Sequence, residues 1–141
     1  MTIVEYIESV LTGMSEGFTF LYADKPEQNL QDDANFPIAY MDYLGSDDTP
    51  HKTGALTSEY QLNIFFGVKS ELDWTTLQHE QNGNAPMRVA AKKFINLLQT
   101  GNFFREIKAF KRKDVKNVYD VNITGCLLTV NVTLIDVTPN C

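Results

Sequence analysis

Tyr60-Gln61-Leu62-Asn63-Ile64-Phe65-Phe66-Gly67-Val68 decides how this chain is read. Tyr60, Leu62, Ile64, Phe66 and Val68 fall on one side, with Gln61 and Asn63 on the other, the period-two pattern of a strand with one buried face. Phe65 interrupts the polar side and is expected either beneath a loop or at an interface. A second run repeats the alternation: Leu128, Val130, Val132 and Leu134 on one face, Leu127, Thr129, Asn131, Thr133 and Ile135 on the other. Between the two, Met87, Ala90, Ala91, Phe94, Ile95 and Leu98 recur at helical spacing. Asn84 is the expected cap of that helix, Pro86 fits its first turn where a missing N–H costs nothing, and Gly101 stops it. A one-sided helix set between two alternating strands specifies a sheet covered by a helix, and so an α+β fold.

Working outward, Thr2 and Glu5 match a capping box, and Ile3, Ile7, Val10, Leu11 and Met14 line one side of a first helix that ends near Gly13 and Gly17. Phe18–Tyr22 reads as a short strand and 24–35 as a polar loop. Phe36–Leu44 reads as a strand in which Pro37 marks an edge position, or at least one where no ladder donor is needed. Gly45–Gly54, with Ser46, Asp47, Asp48, Thr49 and Pro50, reads as a turn cluster or a longer loop. The stretch 70–84 is expected to be irregular: Ser70 caps a helical turn through Trp74 and Leu77, and Asn82-Gly83-Asn84 interrupts it. Three strands follow, 103–115, 118–123 and 126–137, with Thr124-Gly125 as a hairpin turn between the last two. The expected order is α-β-β-β-α-β-β-β, one mainly antiparallel sheet packed with two helices in a single domain spanning 1–141.

Composition supports one core. The chain has 141 residues, 43% of them hydrophobic, and a domain of this size buries about two thirds of its unfolded surface. The apolar runs are far too short to span a bilayer, and the first residues lack a basic segment followed by an apolar run, so neither membrane insertion nor export is expected. Cys126 lies in a strand and Cys141 in the tail; without export they are read as free thiols. The net charge of −6 is unevenly spread. Residues 1–60 carry eleven acids against Lys25 and Lys52, whereas the remainder carries ten bases against seven acids. Such a balance argues against general nucleic-acid affinity and fits a molecule with unlike poles.

Catalytic chemistry is not expected. His51 and His79 are the only histidines. His79 stands beside Glu80 and near Glu71 and Asp73, a spacing that matches no helix-borne metal motif, and it is read as solvated on an irregular segment. The adjacent acids Asp32-Asp33 and Asp47-Asp48 lie in expected loops, where neighbours do not aim both carboxylates at one atom. No nucleophile elbow, phosphate-binding glycine loop or dinucleotide fingerprint is present, so no cofactor or metal is assigned. The run Arg105, Lys108, Lys111, Arg112, Lys113 and Lys116 is interleaved with Phe103, Phe104 and Phe110, as in single-stranded nucleic-acid platforms. The simpler reading is a strand pair with charges outward and lysines blunting an exposed edge.

The segment Tyr119-Asp-Val-Asn-Ile-Thr-Gly125 leading into Leu127-Leu-Thr-Val-Asn-Val132, together with the order and size of the elements, resembles the tail-terminator (tail-completion) proteins of tailed phages and prophages. The resemblance covers nearly the whole chain and rests on pattern rather than on a motif. It implies a non-enzymatic virion protein, assembled in the host cytoplasm, that forms a homo-oligomeric ring, commonly a hexamer. Such a ring sits on the tail tube and faces the head connector, and the loops 24–35 and 45–54 would be arms or lumen loops. A neck or head-completion protein shares the ring, and a small-ligand-binding domain or enzyme is the other alternative. The unlike poles imply contact between a basic region (Arg105, Lys108, Lys111, Arg112, Lys113) and acidic Asp47 and Asp48 of the next copy, with Phe65 or Trp74 adding apolar contact. No membrane and no sequence-specific nucleic acid is expected as a partner.

Overall fold

The computed structural model describes residues 2–22, 36–71, 73–118 and 123–136. Helix α1 (Ile3–Thr12) begins on the expected capping box: the Thr2 side chain accepts from the Glu5 N–H and the Glu5 carboxylate accepts from the Thr2 N–H. Gly13 closes it, and Ile7 and Leu11 are buried. Strands β1 (Thr19–Tyr22), β2 (Ile38–Met41), β3 (Gly45–Pro50) and β4 (Leu56–Lys69) follow. Helix α2 (Thr76–His79), a π-helical turn (Glu80–Asn84) and helix α3 (Ala85–Thr100) then succeed one another without a break, and β5 (Glu106–Val118) and β6 (Ile123–Asp136) complete the order.

Among the described residues the six strands form one sheet in the order β1-β2-β4-β6-β5, with β3 on the same edge of β4 as β2. Strand β2 lies opposite Ile64–Gly67 and β3 opposite Leu56–Gln61. Among the described strands only β1–β2 is parallel; every other pair is antiparallel. The frame is the β4–β6 pair, unbroken from Leu56↔Asp136 to Lys69↔Ile123.

The helices cover one face of this sheet. Leu62, Ile64, Phe66, Leu128, Val130 and Val132 meet Ile7, Leu11, Ala91, Phe94 and Leu98 in the main core, all of them buried. The expected apolar stripe of the second helix is buried in full, from Met87 to Leu98. Tyr60, expected in the core with them, is only partly buried.

Several expectations are corrected. Gly45–Pro50 is a strand, not a loop: its turn-forming residues are recruited because they complete the edge of β4, and tertiary pairing outweighs local propensity. The tight turn is His51–Gly54, where the Gly54 N–H donates to the His51 carbonyl and Gly54 holds φ 86°. Pro37 precedes β2, which is paired on both sides, so it marks no edge but a position where no ladder donor is needed. Thr124 and Gly125 lie within β6, opposite Val68 and Gly67, rather than in a turn. The region expected to hold three strands therefore holds two long ones. The expected loop 24–35, Asp32-Asp33, residues 119–122 of the expected strand 118–123, and Cys141 lie outside the described residues.

The helical rod also begins earlier than expected. Thr75 and Gln78 form its capping box. Asn84 makes no cap; its buried side-chain amide donates to the carbonyls of Val115 (3.0 Å) and Gly125 (2.8 Å), tying the rod to β5 and β6. Gly83 permits the approach, because a Cβ there would meet Thr124 Cγ2 at 2.6 Å. The π-helical turn keeps the chain helical through a sequence that reads as a break.

Candidate functional site

The sheet face away from the helices is largely polar. Along β4 and β6 it shows Glu59, Gln61, Asn63, Thr129, Asn131 and Thr133, paired directly across the strands. Towards one end lies a small apolar cluster of Leu21, Ile38, Phe65 and Ile123. Phe65 is therefore 4% exposed within its own chain, and the expectation that it supplies contact to a partner is corrected. The residues that cover it come from β1, β2 and β6.

The acidic and basic residues singled out in the sequence lie on opposite edges. Asp47 and Asp48 are exposed on β3. Asp47 pairs with Glu59 on the open face, whereas Asp48 pairs with Ser58 and points to the helix side, where Ser46 Oγ donates to its carboxylate at 3.5 Å. Strand β5, at the far edge, carries the basic run. Lys111 and Lys113 pair with Thr129 and Leu127 and share the open face, while Arg112 pairs with Leu128 on the helix side. All three are exposed. The strand backbone, by alternation, thus gives each edge charges on both faces.

Between the edges, a polar cavity of about 310 Å³ is lined by Asp47, Thr49, Glu59, Arg105, Lys108 and Thr133 among others. Here the fold brings Arg105 and Lys108 towards Asp47. Lys108 Nζ donates to Glu59 Oε2 at 2.9 Å, and that hydrogen bond with the Glu59 charge raises the Lys108 pKa above its ordinary value. The hydroxyl of Thr133 is buried with no hydrogen-bond partner among the described residues.

The remaining candidates are internal. Phe103 stacks on Tyr6 with ring centroids 4.3 Å apart, and Phe104 is buried edge-on to the same ring. Two of the three aromatics of the expected stacking platform thus belong to the packing of α1 against the chain after α3, and only Phe110 is exposed. His79 is buried, not solvated: its Nδ1 lies 2.9 Å from Thr124 Oγ1, and Trp74 packs edge-on against its ring at 5.4 Å. Trp74 remains half-buried. Arg88 of α3 bridges Glu80 and Asp114, and these bonds raise its pKa. Among the described residues no group of three or more His, Cys, Asp and Glu side chains converges as a metal site would require.

Cys126 is buried in β6, and burial, with the nearby Asp114 charge, pushes its thiol above the ordinary range. In a Cys141→Ser background it is expected to resist a water-soluble thiol reagent at about pH 8 and to react once the chain is unfolded in denaturant. Intact mass measured in both conditions checks this; native-state labelling as fast as that of the unfolded chain would contradict the burial.

No known family model matches this chain, and no curated protein does.

Proposed function

We propose that this protein is a non-enzymatic structural subunit of a phage or prophage virion, a tail-terminator-like protein that closes head to tail into a homo-oligomeric ring at the head–tail junction. The observation that carries this reading is the pair of opposed sheet edges, acidic β3 and basic β5. A patch and its complement on opposite sides of one subunit make a heterologous contact, which generates a ring when its rotation closes. The α+β architecture is compatible with the resemblance read from the sequence. The partners are then further copies, the tail tube protein and the head connector, and the place of action is the virion, assembled in the host cytoplasm. Rim charges mainly set encounter rate and register, so apolar contact must come from exposed side chains such as Phe110, which is 38% exposed, rather than from Phe65.

Reversing Lys111, Arg112 and Lys113 together to Glu is expected to leave a folded monomer where the wild type forms a ring-sized species. These three side chains are exposed on the edge, so circular dichroism and melting should stay near wild type. Light scattering at low salt reads the outcome; normal assembly by the triple variant would reduce the charge asymmetry to a surface habit.

The second reading, a small-ligand-binding domain or enzyme, is favoured by the polar cavity and by the Thr133 hydroxyl, which has no partner among the described residues. A ligand-responsive monomer in the same measurement would select it. A neck or head-completion role uses the same ring and is separated by whether it binds tail-tube or portal-side proteins.

A further inference from the structure

The free edges of β3 and β5 are matched in direction, backbone polarity and charge. Strand β3 runs antiparallel to β4, β4 to β6 and β6 to β5, so β3 and β5 run in opposite directions. A second copy placed beside the first in the same orientation therefore sets its β3 antiparallel to the first copy's β5, the pairing used almost throughout this sheet.

The backbone groups can be followed across the sheet. The Asp42 N–H donates to the Asn63 carbonyl, so Asn63 turns its polar groups towards the β2–β3 edge. Strand β4 holds its register with β6 without a shift, so Glu59 faces the same way, and Asp47 opposite it turns inward. Ser46 and Asp48 consequently turn their N–H and C=O groups outward. On the far side the Arg105 N–H donates to the Thr133 carbonyl, so Thr133, Thr129 and Leu127 face β5. Lys111 and Lys113, opposite the last two, turn inward, and Arg112 between them turns outward. Among the described residues nothing pairs with either outer edge.

We propose that successive copies join by strand addition, β3 of one pairing antiparallel with β5 of the next in the register that sets Asp48 opposite Arg112 and Asp47 opposite Lys113. This rests on the ring reading above and specifies its contact. In this register Asp48 and Arg112 both turn outward, share the helix-side face and exchange backbone hydrogen bonds. Asp47 and Lys113 both turn inward and share the open face as a non-hydrogen-bonded pair. Both acids thus meet a base; Pro50, which also turns outward but has no N–H to donate, falls opposite Phe110 and leaves that end of the contact one hydrogen bond short. A shift of two residues one way puts Asp48 opposite Phe110 and loses an ion pair. A shift the other way puts Asp48 opposite Asp114, where like charges oppose. The repeated contact makes a continuous sheet with every helix on one face, and the edges exposed in the monomer are covered.

Disulfide trapping tests the register, because non-hydrogen-bonded antiparallel pairs hold Cα atoms about 4.5 Å apart, within bridging range. Asp47→Cys with Lys113→Cys, in a full-length Cys141→Ser chain, is expected to give a ladder of covalent oligomers under mild oxidation. The yield should exceed by about tenfold that of Asp47→Cys combined with Lys111→Cys or with Val115→Cys. The two edges of one subunit lie on either side of β4 and β6, so a ladder reports contact between copies. If the wild type assembles in light scattering but the 47–113 pair gives no ladder, or no more than its neighbours, the register is wrong and the ring reading stands. If the wild type and all variants stay monomeric, the ring reading falls and takes this contact with it.

Discussion

Replacing Phe94 with alanine is expected to lower the unfolding free energy by about 3–5 kcal/mol, the range for deleting a buried aromatic ring from a core that cannot collapse around the gap. Phe94 is fully buried, and its ring lies 5.8 Å from that of Phe66, which in turn meets Phe18 edge-on at 5.3 Å. The ring therefore joins α3 to β4 and, through Phe66, to the chain entering β1, so its removal leaves a gap inside the main core. Val89, on the same helix and 56% exposed, provides the comparison, since its truncation should change stability by no more than about 0.5 kcal/mol. Denaturant unfolding of both variants measures the difference. Equal midpoints would mean that α3 does not seal the sheet through this residue.

Gly125→Ala is expected to be at least as damaging, for a different reason. A Cβ at Gly125 would stand 1.8 Å from the backbone oxygen of Phe66 and 2.9 Å from the Cα of Gly67. The obstacle is backbone rather than a flexible side chain, so β4 and β6 must move apart where Gly67 and Gly125 face each other. That pair belongs to the two central strands of the sheet, and the Gly125 carbonyl also accepts from the Asn84 amide. The substitution is expected to cost more than about 4 kcal/mol and to leave little folded protein at room temperature. At Gly45, in edge strand β3, a Cβ would meet nothing within 4 Å, so Gly45→Ala should be close to neutral. Melting followed by circular dichroism separates the two; similar curves would remove the close-approach argument.

The parts of the fold legible in the sequence are those where a periodic apolar pattern and a local stop signal agree. The Thr2–Glu5 capping box, the alternation of β4, and the Met87–Leu98 stripe ending at Gly101 are of this kind. What could not be read depends on partners remote in the chain. Ser46 to Pro50 has turn composition and becomes a strand only because β4 offers it an edge. Gly125 reads as a turn residue because close approach and turning both call for glycine, and the distinction lies with Phe66, far away in the sequence. His79 is charged-looking in its neighbourhood, yet Thr124 and Trp74 close over it.

The charged edges were legible as compositions but not as edges. The basic run at 111–113 was visible, whereas the split of Lys111 and Lys113 from Arg112 onto opposite faces follows from register. Phe65 looked available to a partner because its cover, Ile38 and Ile123, comes from strands that sequence alone does not set beside it.

The position of β6 carries a consequence for how the chain reaches this state. The strand that joins β4 to β5 in the sheet is also the last of the described strands to leave the ribosome, and its pairs with β4 join residues as distant as Leu56 and Asp136. Until it arrives, β4 and β5 have no shared partner, and the apolar faces of β4 and α3 have only part of their cover. Contacts of such long sequence separation slow folding, and a nascent chain waiting for them exposes adhesive surface. The sheet is therefore expected to consolidate in one late step, once β6 has emerged to pair with β4 and β5.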